Sequence, residues 1–202
     1  MALLWKTLFL TLLAGSILFL AGILYYPKPE PQNQGEALNR MIALQEEDRY
    51  EEAVKTIQRW LQNDRRDVSR DGWMYHQIAM VYIVEAYKKP ETRGDSIHQA
   101  ELNLEKSLSL HDQQQTEDTN PGLYGIGGGY EVLGDLSDTG KCNFYEKAQL
   151  LFERQLPLIK GDTFTAYGTT VPLEPLRAEV RKHLVDVRQK LSSSGCPANE
   201  KQ

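Results

Sequence analysis

A chain of 202 residues that is 41% hydrophobic and 25% charged has enough apolar material for one domain with a buried core, and too much to be disordered throughout. Leaving out the first 26 residues, whose only charged side chain is Lys6, the remainder carries 22 basic and 28 acidic side chains, about −6 net. A mildly acidic domain of this kind lacks the clustered Lys and Arg that grip a phosphate backbone, which argues against nucleic acid as a partner.

The first element is apolar. From Thr7 to Tyr26 no charge occurs for 20 residues, and a helix of that length spans about 30 Å, the thickness of a bilayer's hydrocarbon core. Trp5 stands at one edge and Tyr25 with Tyr26 at the other, where amphipathic rings favour the headgroup level. Pro27, Pro29 and Pro31 then stop the helix. A cleaved secretory signal is the competing reading, but the small residues Ala14-Gly15-Ser16 are followed by Ile17-Leu18-Phe19-Leu20, which would place the cleavage site inside the apolar run. Residues 1–26 are therefore expected to be a retained single-pass anchor. A short tail with one lysine ahead of a long apolar run resembles an uncleaved export signal, which puts the domain outside the cytoplasm.

Residues 27–36, rich in proline and polar groups, read as an extended spacer. From residue 37 to 191 apolar positions recur at helical spacing, and Gly/Pro/Asp clusters near 64–72, 88–95, 117–122 and 134–143 divide the chain into helices of roughly 10 to 18 residues. No alternating strand pattern is sustained. One shape returns three times. Tyr50, Ala53, Ile57 and Trp60-Leu61 align with Ile97, Ala100, Leu104 and Ser107-Leu108, and with Tyr145, Ala148, Phe152 and Gln155-Leu156, the alanines lying 47 and 48 residues apart. In the preceding helices Tyr75, Ile78, Ala79 and Tyr82 align with Leu123, Ile126, Gly127 and Tyr130. Two antiparallel helices approach closely where one presents Ala or Gly and its neighbour fills the space beside it, and a hairpin built so keeps an apolar face that must stack on another hairpin.

At these residues the chain resembles the tetratricopeptide repeat family, over about residues 37–160. The turns within the units look enlarged by Lys88–Asp95 and Gly134–Asn143, so the spacing exceeds the family's repeat of about 34 residues. The resemblance implies an all-α fold, a helical-hairpin array whose first helices line a concave groove that binds a protein segment. On this register the groove positions are Trp73, His76, Met80, Tyr124 and Glu131. The Lys, Asn and Arg with which one subgroup of the family grips a carboxylate are not at these positions.

After a break at Gly161–Thr170, Leu173, Leu176, Val180, Leu184, Val187 and Leu191 form the apolar stripe of one amphipathic helix, backed by mixed charge. It has the composition of the cap that closes such an array. Residues 192–202 read as a flexible tail.

Chemistry-bearing motifs are few. Cys142 and Cys196 are too few for a zinc site or a disulfide framework. Two free thiols are the simpler expectation, while a bridge would close a loop of about 55 residues, add about 4 kcal/mol and need an oxidising compartment. His76, His98, His111 and His183 fall on separate segments with no ligand spacing. Gly125-Ile126-Gly127-Gly128-Gly129 continues into a helical Tyr130–Leu133 pattern rather than following a strand, so close helix packing explains it better than a phosphate cradle. No catalytic residue, metal ligand or cofactor site is identified, and no enzyme is expected. The sequence reads as a membrane-anchored scaffold or adaptor for a partner protein, with a structural subunit of a larger membrane complex, packed through its own membrane helix, as the alternative.

Overall fold

The computed structural model describes residues 31, 33–63, 70–114, 122–166 and 169–196. The proposed anchor over 1–26 lies outside these residues, as do half of the spacer (27–30 and 32) and the end of the tail, while Gln34, Gly35 and Glu36 of the expected spacer lie in the first helix. Among the described residues no helix is long and apolar enough to cross a membrane.

Among the described residues seven α-helices occur in chain order: α1 (Gln34–Glu46), α2 (Tyr50–Leu61), α3 (Asp71–Lys88), α4 (Arg93–Gln114), α5 (Gly122–Leu136), α6 (Lys141–Gln155) and α7 (Glu174–Ser193). Short 3-10 turns at Pro90–Thr92 and Leu156–Leu158 lead into α4 and out of α6. Local chemistry sets several boundaries. The Asn33 side chain accepts a hydrogen bond from the Glu36 backbone N–H at 3.0 Å and caps α1. Asp48, at φ 58, turns the chain between α1 and α2, in the left-handed region that Asp tolerates better than most residues. Gly140, at φ 81, does the same ahead of α6.

The helices pack as α1 with α2, α3 with α4, and α5 with α6. Further contacts join α2 to α3, α4 to α5, and α3 to α5, while α7 lies on α6 and touches α5. Two apolar clusters result. Ala37, Met41, Leu44, Tyr50, Ala53, Ile57 and Trp60 close on Met74, Ile78 and Val81 of α3. The larger cluster runs from Ala79 and Ile83 through α4, α5 and α6 to Val180, Leu184 and Val187 of α7. Helix α3 thus contributes one side to each.

The three aligned alanines, Ala53, Ala100 and Ala148, have no exposed surface, and neither do Ile57, Leu104 and Phe152 one turn further on. Gly127 and Gly129 of α5 have the packing role expected of them: a Cβ at Gly127 would lie 2.9 Å from the Phe152 ring, and one at Gly129 would lie 2.9 Å from Leu104. Gly134, expected to open the break at 134–143, instead lies inside α5, where a Cβ would collide with Tyr145. Gly128, by contrast, faces open space.

Two features depart from expectation. The break at 161–170 contains a two-stranded antiparallel hairpin, β1 (Thr163–Ala166) and β2 (Thr169–Pro172), in the register Thr163↔Pro172 and Thr165↔Thr170. Its strands are only four residues long, too short for an alternating pattern to stand out, although their Thr, Phe and Val content suits a strand. The Arg177 guanidinium tethers the start of α7 below this hairpin, donating to the Gly161 carbonyl at 2.7 Å and the Ile159 carbonyl at 3.3 Å. Second, Cys142 and Cys196 are not free thiols: they form a disulfide with a Cα–Cα separation of 5.5 Å. The bond ties the start of α6 to the residues just past α7, an approach that exists only because the two helices run antiparallel.

A candidate partner-binding face and a polar seam behind it

Helical spacing places Trp73, His76, Met80 and Tyr87 along one side of α3. Trp73 is 47% exposed and Tyr87 73%, while Met80 is half-buried against the larger cluster. His76 lies where α3 meets α5: a Cβ added at Gly125 would stand 3.2 Å from its Nε2, so only glycine there admits the imidazole without displacing it. Nε2 is buried with the Gly125 backbone beside it, and Nδ1 faces the Gln77 side-chain amide at 3.2 Å. Burial holds the His76 pKa below the ordinary histidine range, only partly opposed by the Gly125 backbone, so the ring is neutral at pH 7.

On α5, Tyr124, Gly128 and Val132 share a side at spacings of four, and Val132 is 38% exposed. Tyr124 is half-buried, its ring centroid 6.2 Å from Phe152 and edge-on to His183 at 5.6 Å. Trp73, Met80, Tyr124 and Val132 thus leave apolar surface uncovered on two helices that touch each other. Large uncovered rings on adjoining elements are the usual anchors of protein contacts.

The fifth predicted position has a different role. The Glu131 side chain is only 8% exposed and is engaged from within the chain: His183 Nδ1 donates to it at 2.6 Å and Lys190 Nζ at 2.8 Å. Lys190 also reaches Asp135 at 2.7 Å, and the Tyr145 hydroxyl donates to the same carboxylate at 2.8 Å. His183 stacks on Phe152 at 5.4 Å, with its Nε2 3.4 Å from the Tyr124 hydroxyl. Burial and the bond to Asp135 push Tyr145 up to about 12. For Lys190 burial disfavours the charge, but the hydrogen bonds to Asp135 and Glu131 outweigh it and raise the pKa. This seam joins α5 and α6 to α7, so Glu131 serves the closure of the domain.

Sequence reasoning missed His183, Lys190, Asp135 and Tyr145 as a group. The signal that existed was two acids four residues apart on one amphipathic helix and a His and Lys seven apart on another. Nothing in the sequence said that the two helices face each other.

An open cleft of about 570 Å³ lies elsewhere, lined among others by Arg93, His98, Glu101, Asp138 and Phe144 and by none of the five predicted positions. Among the described residues no group of three or more His, Cys, Asp or Glu side chains is placed to hold a metal ion.

The chain matches no family model, and no curated protein or solved structure is significantly similar to it.

Proposed function

We propose that this protein is a membrane-tethered scaffold in which three helical hairpins of the tetratricopeptide kind, closed by α7, present the exposed side of α3 and α5 to a segment of a partner protein. The carrying observation is Trp73, nearly half exposed on the same side of α3 as the partly exposed Met80, while α5, which contacts α3, leaves part of Tyr124 and Val132 uncovered. An exposed tryptophan on such a surface is the residue most often found to dominate a protein contact. The fully buried Ala53, Ala100 and Ala148, at matching places in successive hairpins, support the array reading. The 20-residue uncharged run supports the anchor. The Cys142–Cys196 disulfide supports a domain on the oxidising side of that membrane.

The test is photo-crosslinking in intact membranes with a benzophenone amino acid at position 73, beside the same probe at exposed Lys55 on α2. A discrete crosslinked partner from 73 that is lost in Tyr124→Ala, with none from 55, is the expected result. Equal or absent labelling from both positions would remove the binding face. A C-terminal reporter active only in the cytoplasm would remove the orientation.

A further inference from the structure

The disulfide joins two electrostatically unlike ends. Cys142 is the second residue of α6, whose first turn contains no acidic side chain and whose preceding residue, Gly140, provides no side-chain cap. Cys142 therefore lies in the first turn, at the positive end of the α6 dipole, with the Lys141 cation adjacent in sequence and the nearest acids in the chain at Asp138 ahead of the helix and Glu146 one turn along it. Cys196 lies past the carboxyl end of α7, where the dipole is negative, and its backbone N–H bonds the Leu191 carbonyl at 3.2 Å. Both cysteines are partly exposed, and the neighbouring Asn143 and Gly195 are exposed. A thiolate is thus stabilised at Cys142 and destabilised at Cys196, which makes Cys142 the better leaving group in thiol–disulfide exchange.

The remaining attachments of α7 do not depend on this bond. Val180, Leu184 and Val187 are buried in the larger cluster, and His183 and Lys190 hold Glu131 and Asp135. Leu191 also packs against that cluster, so only the residues beyond it depend on the disulfide.

We propose that Cys142–Cys196 is an exchange site for a dithiol oxidoreductase, which attacks the Cys196 sulfur, and that its opening releases the end of α7 while the domain stays folded. In the first step a thiolate of the dithiol bonds to Cys196 Sγ, the Cys142–Cys196 bond breaks, and its electron pair leaves with Cys142 as thiolate. The second thiolate of the dithiol then attacks the dithiol's first sulfur in the mixed disulfide. It closes the reductant's disulfide and expels Cys196 as thiolate. Two electrons pass from the dithiol to the protein, the two protons of the dithiol are lost to solvent, and Cys196 and Cys142 take theirs from solvent.

The experiment uses the full-length protein in detergent micelles with dithiothreitol and, separately, with a thioredoxin-class protein whose second active-site cysteine is replaced by serine. The expected results are reduction without denaturant, a trapped mixed disulfide mapping by mass spectrometry to Cys196, and amide exchange at least tenfold faster over residues 192–196 with the middle of α7 unchanged. A bond that opens only when the domain is unfolded would overturn the proposal, as would loss of α7 protection along its whole length. Trapping at Cys142 would overturn the assignment of the attacked sulfur.

Discussion

The two ends of the hairpin stack are closed by different physics. At the α1–α2 end the charges lie outside: Arg49 bonds Glu47 at 2.7 Å and Glu52 at 2.6 Å, with all three side chains about half exposed, and beneath them Met41, Leu44, Tyr50 and Trp60 form an apolar contact. At the α7 end the charges lie inside. Glu131, 8% exposed, is held between His183 and Lys190, and a disulfide secures the same helix. Apolar contacts tolerate small changes in helix angle, whereas a buried carboxylate with two cationic or donor partners fixes one placement, because any other leaves it unpaired. The α7 end therefore has a defined seat, and the α1–α2 end a greasy one.

The sharpest way to break this comparison is at Glu131. Glu131→Ala removes the buried acceptor that His183 and Lys190 of α7 share across the seam and should cost about 3–5 kcal/mol in denaturant unfolding, while Arg49→Ala should not measurably shift the melting temperature. Equal effects would mean that the two ends are closed alike. Cys196→Ser should lower stability by about 4 kcal/mol, the chain entropy restored to a loop of that length, and should match the wild type under reducing conditions. Ala53→Leu and Ala148→Leu carry the comparison into the hairpins themselves. Each side chain is fully buried, so overpacking of about 1–3 kcal/mol is expected at both ends, visible as lowered unfolding midpoints.

Smaller effects on stability are expected at the proposed binding face. Trp73→Ala should leave melting nearly unchanged yet weaken partner capture by about 2 kcal/mol, roughly 30-fold. Tyr124→Ala should lower both, because its ring also packs on Phe152 and His183. A large loss of stability in the Trp73 variant would move that residue from the face to the core. The least effect concerns pH. Because the folded-state pKa of His76 lies below its unfolded value, the unfolded chain takes up the proton first as pH falls. The stability linked to its neutral ring is complete above the unfolded value of about 6.5 and diminishes below it. His76→Gln should flatten the decline in melting temperature between about pH 7.5 and 5, leaving a smaller slope from His111, whose pKa is also lowered by burial. An unchanged slope would show that His76 is hydrated in the folded state.

Much of the helical order was legible because periodicity is a local property. The alanine register at 53, 100 and 148, the amphipathic stripe of α7 and the breaks at 89–92 and 137–140 are each written in a window of a dozen residues, and the alanines and most of the stripe are buried. The glycines of 125–129 were legible in kind, since a helix carrying Gly127 and Gly129 makes sense where large side chains press against it, but Gly134, which reads as the start of a turn, lies inside α5 because Tyr145 packs on it. The face was partly legible. Trp73 is exposed, but Glu131, also read as a groove position, turns inward to α7. The disulfide, the inward seam and the four-residue strands of the hairpin were decided by tertiary structure alone. Each depends on which elements are brought face to face: Cys142 and Cys196 are 54 residues apart, and Glu131 and Lys190 are 59 apart. Pairing at such separations is set by how helices stack, and a sequence states the period of each helix without stating its neighbour.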